Sequence, residues 1–277
     1  MDKFQIIQPS ALLAPYVKQY WFLTRESSVK SSQRLVPFGC TALTFHRGNL
    51  TYSSLDQAYL PQTHLYGVTK THTDLVFSGY INFLCIIFQP AGARLFFTFP
   101  LNELNSSYLP VDLLNDPELN KLEQQVYETQ DNLQCVNFIE QFLLRRMYRF
   151  NPYNDERINT AINTIYKGEA NVDNLASTVC LGYKQFKRVF TEHIGINPKD
   201  FLQIVRFQRL HHLLQKHTPM PVSELAYECG YYDKSHLIKE LKQLSGFTPT
   251  ELTKACDSVY STYHALFRSA FINLLPE

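Results

Sequence analysis

Two short stretches of this chain carry side chains suited to reading a polar surface. One holds Lys184, Gln185, Lys187 and Arg188; the other holds Lys234, Ser235, His236, Ile238 and Lys239. Within each stretch most members lie one, three or four residues apart, so on a helix they cluster on the outward side. Cations there meet phosphate, and polar side chains hydrogen-bond base edges, which is what the major groove of a duplex accepts. Lys184, Lys187 and Arg188 are expected to contact bases in one groove. Lys234, Ser235, Ile238 and Lys239 are expected to do so in the next, with Gln185 and His236 as flankers reaching phosphate or water.

The elements that would position them form a repeat. Leu175-Ala176, Phe186, Phe190, Gly195 and Pro198 recur as Leu225-Ala226, Leu237, Leu241, Gly246 and Pro249, offset by 51 residues from Phe186 onward and by 50 at Leu-Ala. A conserved spacing of apolar, Gly and Pro positions means one helical unit used twice, a helix-turn-helix. Helices are expected over Tyr183 to His193 and Asp233 to Leu244, with Phe186, Val189 and Phe190, and then Leu237, Leu241 and Leu244, turned inward. Gly182 and Gly230 are expected to make the interhelix turns, where positive φ favours glycine. Asn197 and Thr248, each followed by Pro, are expected N-caps of the next helices. Between the copies, Pro198 to Gln215 has helical apolar spacing and a length of about 27 Å at ~1.5 Å per residue. Such a rod would hold two recognition helices near one DNA turn apart, about 34 Å.

Leu175 to Leu252 resembles the DNA-binding domain of AraC/XylS-family bacterial transcription regulators. The residues that carry the likeness are Leu175-Ala176, Phe186 to Phe190, Gly195-Ile196-Asn197-Pro198, Val205-Arg206, Leu225-Ala226, Cys229-Gly230-Tyr231, Ser235-His236-Leu237, Lys242 and Gly246-Phe247-Thr248-Pro249. Gly182 departs from the family's usual Ser cap, and Tyr231, Leu237 and Leu241 stand where Phe is usual. Tyr20-Trp21, Arg34 to Cys40 and Phe88 to Ala93 resemble, more loosely, an N-terminal domain of some of these regulators. The resemblance implies a sequence-specific regulator that binds a double-stranded DNA operator. It further implies a cupin-like regulatory domain, a small-molecule effector, and RNA polymerase as a partner if the protein is an activator.

The remaining features fit this division without requiring it. A chain of 277 residues allows two domains, and its formal net charge of +1 does not itself suggest nucleic acid. Residues 155–255 hold 13 Lys and Arg against 11 Asp and Glu, so positive charge is clustered rather than abundant. Residues 1 to about 112 read as short strands separated by turn signals, such as Thr41 to Phe45, Leu65 to Val68 and Asn82 to Phe88. An opening helix is expected over Pro9 to Trp21 from Leu12, Leu13, Tyr16, Val17 and Tyr20. From Pro117, Leu119, Leu122, Val126 and Tyr127 space as one helix; Val136, Ile139, Phe142, Leu143 and Met147 space as a second. That pair either joins two chains as a homodimer or caps the β domain. Asn151 to Asp155 is a boundary, with Asn154 or Asp155 capping the next helix.

The fold class expected is therefore α+β: a mainly-β, cupin-like sensor domain with flanking helices over 1–150, and an all-α domain over 151–255. A C-terminal extension, 256–277, has an amphipathic pattern and is expected to dock on one of the domains or on a second chain. Of 38 aromatic residues, 23 lie in the first 150, which suits either a filled core or a pocket for an apolar or planar ligand. His46, His64 and His72 match no metal-ligand spacing, and His211, His212 and His217 are expected on the linking helix surface. No cofactor is expected. Six scattered Cys and no leader suggest reduced thiols in the cytoplasm, and no apolar span is long enough for a membrane helix. No nucleophile elbow or P-loop is present. The alternatives are a cupin-type enzyme fused to a regulator, or a helical protein-interaction module.

Overall fold

A computed structural model describes residues 3–104, 108–147, 154–168, 172–215 and 220–252. The boundary residues Asn151, Pro152 and Tyr153, His217 and the extension 256–277 lie outside the described residues.

The N-terminal part is one antiparallel sheet built from β1 (Lys3–Ile7), β2 (Val17–Leu35), β3 (Ala42–His46), β4 (Tyr52–Ser53), β5 (Ala58–Tyr59), β6 (Thr63–Tyr66), β7 (Thr73–Phe88) and β8 (Tyr108–Pro110). The order is β1-β2-β7-β3-β6-β8, with β4 pairing to β5 and β7. Strands β2 and β7 make a long ribbon, Trp21 opposite Cys85 and Leu35 opposite Thr73, broken by a register shift between Ser27 and Ser31. The shift divides the ribbon into a near half, paired to β1 and β3, and a far half, paired to β4.

Side-chain alternation buries both faces of this sheet. Tyr20, Phe22, Leu43, Phe45, Leu84, Ile86 and Phe88 join one core with α1 (Pro117–Glu128) and α2 (Asn132–Met147), through Leu119, Leu122, Val126, Ile139, Phe142 and Leu143. Trp21, Leu23, Phe38, Ala42, Tyr66, Phe77, Phe83, Cys85 and Ile87 form a second core on the opposite face. The apolar stripes of α1 and α2 are thus spent on the sheet, so of the two sequence expectations the capping role is the one seen within the chain. Asp116 caps α1, accepting from Glu118 and Leu119 N–H at 3.1 Å, and Arg146 of α2 pairs with the same carboxylate.

The expected helix at Pro9 to Trp21 is not formed. The chain turns through residues 11–16, closed by Val17 N–H to Leu13 O at 2.7 Å, and β2 starts at Val17. Pro15 lacks a donor and disfavours helix at the residue before it. Tyr20 to Leu23 are all buried, on alternate faces, and a strand covered on both faces imitates a helix's apolar spacing.

The second half is helical: α3 (Asp155–Tyr166), α4 (Val172–Thr178), α5 (Tyr183–Ile194), α6 (Pro198–Gln215), α7 (Val222–Glu228) and α8 (Lys234–Ser245). Their inner faces share one core that includes Ile158, Leu175, Phe186, Phe190, Phe201, Phe207, Leu225, Leu237 and Leu241. Asn197 caps α6 by accepting from Asp200 N–H at 3.0 Å, and Thr248 forms a reciprocal pair with Glu251. Asn154, by contrast, stands at the N-cap of α3 without a side-chain bond to the helix. His211 is buried and stacks on Phe207, against the expectation of a surface position, because α6 is wrapped by the helices of both copies and by the sheet domain.

Candidate nucleic-acid interface

Each recognition-type helix is pinned from below and bare above. In α5, Phe186, Val189, Phe190 and Ile194 are buried, and Phe186 and Phe190 meet edge to face at 5.6 Å. Lys184, Gln185, Lys187 and Arg188 are exposed on the other side. Arg188 forms an i,i+4 pair with Glu192 at 3.3 Å, but its side chain is 66% exposed, so the pair is worth under about 1 kcal/mol and yields readily to phosphate or a base. In α8, Leu237, Leu241 and Leu244 are buried while Lys234, Ser235 and Lys239 are exposed. The predicted residues therefore fall on two outward faces, with two differences. Ile238 is half-buried against the helical core. His236 has both ring nitrogens occupied: Nδ1 accepts from Tyr232 N–H at 3.3 Å and Nε2 meets Glu240 Oε1 at 2.8 Å. The backbone donor assigns the ring proton to Nε2, so the partly exposed His236 ring is held against Glu240 as a brace.

Glu240 is the centre of that brace. It is buried, and besides His236 it takes Arg206 Nη2 at 2.8 Å and Gln203 Nε2 at 3.1 Å, both from α6. Arg206 also lies over the Tyr231 ring at 5.3 Å, and burial pushes the Tyr231 hydroxyl upward. The second outward helix, α8, is thereby locked to the linking helix α6. The first meets α3 instead, where His193 Nε2 of α5 stands 3.3 Å from Asp155 Oδ1.

The helix starts differ between the copies. Asp233 caps α8, accepting from His236 N–H at 2.7 Å, whereas Gly182 stands at the N-cap of α5 with no side chain to offer. Gly182 has φ −66°, not the positive value expected of it; the left-handed residue of the first turn is Cys180, at φ +55°, matching Gly230 at φ +76° in the second. The 50-residue offset on that side of the turn pairs Cys180 with Gly230. Residue type alone does not point to three exposed aromatics, Tyr183 at the start of α5 and Tyr227 and Tyr232 before α8. Their signal in the sequence is an aromatic on the polar side of an otherwise amphipathic unit.

With this geometry in hand, residues 175–255 match a family model described as a helix-turn-helix domain, and residues 5–110 match a domain of unknown function, DUF6597. Over 167 residues the chain is 25% identical to the arabinose operon regulatory protein of Escherichia coli, covering 55% of this chain and 57% of that one. Residues 175–255 are a helix-turn-helix domain. An uncharacterized HTH-type transcriptional regulator of Haemophilus influenzae is 32% identical over 122 residues, 43% of this chain and 39% of its own length. The transcriptional activator RhaS of Enterobacter is 26% identical over 38% of each chain. The chain thus spans well under two thirds of the length of these relatives. Among solved structures, ToxT of Vibrio cholerae covers 88% of this chain at 10% identity with a TM-score of 0.44. The DNA-binding domain of AdpA in complex with a target DNA covers 37% at 22% identity with a TM-score of 0.33. In this helix-turn-helix domain the structure brings Lys184, Gln185, Lys187 and Arg188 together on α5, and Lys234, Ser235 and Lys239 on α8, and engages both ring nitrogens of His236 within the protein. Among the described residues no three metal-ligating side chains gather, and no helix is long and apolar enough to cross a membrane.

Proposed function

We propose that this protein is a sequence-specific DNA-binding transcription regulator whose α5 and α8 enter two successive major grooves. The observation that carries it is the pair of outward polar faces on two copies of one helical unit, joined by a single 18-residue helix, α6. Lys184, Lys187, Arg188, Lys234, Ser235 and Lys239 make the base contacts; Ile238 offers the exposed part of its side chain, and Gln185 reaches phosphate. His236 supports the face from behind. The names of the relatives, an arabinose operon regulator and a transcriptional activator among them, support control of transcription, with RNA polymerase as a partner. On this reading 1–150 is the sensor, 151–255 the DNA-binding domain and 256–277 an accessory segment, and the protein works in the cytoplasm. A small-molecule effector seated in the sheet domain controls it, and a homodimer uses the outward faces of α1 and α2. Duplex binding by the full chain, measured against salt, tests the reading: a steep fall of affinity with salt and preference for one selected site support it. Equal, weak affinity for every duplex sinks it.

A further inference from the structure

The two helix-turn-helix copies close their turns with the same backbone bonds. In the first, Cys180 N–H donates to Ser177 O at 3.1 Å and Leu181 N–H to Ala176 O at 3.0 Å. In the second, Gly230 N–H donates to Tyr227 O at 3.0 Å and Tyr231 N–H to Ala226 O at 2.8 Å. This is the Schellman stop, with a left-handed residue at Cys180 or Gly230 and an apolar one after it, Leu181 or Tyr231. These positions correspond at an offset of 50 residues. The N-caps that follow, Gly182 of α5 and Asp233 of α8, correspond at 51. One residue is therefore added in the second turn, between Tyr231 and Asp233. It is Tyr232.

The added residue is held by its backbone and bare at its side chain. Tyr232 N–H donates to His236 Nδ1 at 3.3 Å, and the His236 ring meets the buried Tyr231 ring edge to face at 5.4 Å. Tyr232 itself is 93% exposed. On the other arm of the turn, in the last turn of α7, Tyr227 is 84% exposed, where the first copy has Ser177. Rings left in water bury no apolar surface and so contribute little to folding. Their value lies in what they meet.

Docking geometry and charge narrow that choice. When a helix-turn-helix unit binds a duplex, the helix before the turn crosses the DNA backbone and the next enters the major groove by its start. The α7–α8 turn therefore lies at the groove edge, over a sugar–phosphate strand. From Tyr227 to Asp233 the charged side chains are Glu228 and Asp233, both acidic, and the Asp233 carboxylate is spent on His236 N–H at 2.7 Å. A strand passing this turn meets no cation there, so neutral groups must hold it. A phenol can do so, its ring packing on deoxyribose and its hydroxyl donating to a phosphate oxygen. The outward face of α8 also carries fewer cations, Lys234 and Lys239, than that of α5, with Lys184, Lys187 and Arg188. We propose that Tyr227 and Tyr232 clamp the sugar–phosphate strand at the edge of the groove that α8 enters, an uncharged anchor built into the second copy. The clamp rests on the regulator reading above. It makes both tyrosines positioning residues, which fix where α8 enters and select no base, while His236 fixes the backbone of Tyr232.

The full chain and a duplex it selects from a random library supply the test. Tyr227→Ala and Tyr232→Ala are each expected to bind that duplex about tenfold more weakly, the weight of a hydrogen bond to a charged group, with urea unfolding unchanged. Tyr227→Phe and Tyr232→Phe keep the ring and are expected to fall between the wild type and the Ala variants. Losing a neutral contact releases no counterion, so the slope of log affinity against log salt is expected to stay at the wild-type value in all four. On a duplex cut back to the element read by α5, the losses are expected to vanish. Methylphosphonates placed singly beside the other element are expected to include one that weakens the wild type more than Tyr232→Phe. Variants that bind like the wild type, or losses that persist on the cut-back duplex, overturn the clamp and leave the two-groove reading standing. A changed salt slope overturns its uncharged character. A wild type that prefers no duplex over another overturns the regulator reading, and the clamp with it.

Discussion

At the scale of single residues, exposure and partners separate reading from bracing. Arg188 is free to leave its weak partner Glu192, so Arg188→Ala should cost about 1–3 kcal/mol of binding and relax the preference at one base. Binding measured across a set of single-base variants checks this; an equal loss on all of them makes Arg188 a phosphate contact. Both ring nitrogens of His236 are engaged within the protein, so His236→Ala should lower stability while leaving the base preference unchanged, a pattern read by unfolding and by the same duplex set. The buried His46 and His64 give a pH signature. Their folded-state values lie below the ordinary 6.5, so each takes its proton more readily when unfolded. Stability is insensitive to them above about pH 6.5 and falls as pH drops below it, by up to about 1.4 kcal/mol per pH unit for each. For His64 the slope continues toward about 3, where the folded form also protonates. Urea unfolding between pH 7 and 5 should show a shallower slope in His64→Gln.

At the scale of elements, the two copies share a plan and differ in how they are fastened. Gly182 leaves α5 without a side-chain cap, and a Cβ at that position meets nothing within 4 Å. Gly182→Ser should therefore stabilise the helical half by a few tenths of a kcal/mol, since Gly is the weaker cap by about that amount. Glu240→Ala strands Arg206 in a half-buried site and should cost about 3–5 kcal/mol, because breaking a buried pair leaves a charge unanswered. Denaturant unfolding of each variant checks both. The helices α5, α6 and α8 and their buried faces were legible because apolar residues at helical spacing, Gly at the stop and Asn or Thr before Pro are local signals. Glu240 was not, since its three partners lie on the same face four residues away and on α6, more than 30 residues away. The left-handed Cys180 was hidden because an L residue carries no glycine mark. The opening helix misled because β2 buries both its faces, so its apolar positions lost the alternation by which a strand is read.

At the scale of the molecule, the sheet domain touches the ends of both α5 and α8. A Cβ at Gly195, after α5, would stand 3.2 Å from Leu101 O, and Gly246, after α8, is covered by Arg34 and His72. Between these points Gln208 of α6 reaches Pro37 O in the sheet domain, and Lys70 pairs with Asp200 at 3.1 Å. None of these contacts has a local sequence pattern, because each joins residues more than 90 positions apart. Gly246→Ala combines a strained φ with a clash at the domain contact, so it should loosen the hold on α8, read as faster amide exchange in residues 234–247. Whether one chain reads two grooves in succession is decided by selecting duplexes from a random library with the full chain and then inserting about half a helical turn, ~5 bp, between the two enriched elements. Two short elements about one turn apart are expected, with a loss of at least tenfold in affinity on insertion. A single enriched element, or two whose spacing can change by half a turn without loss, would contradict it.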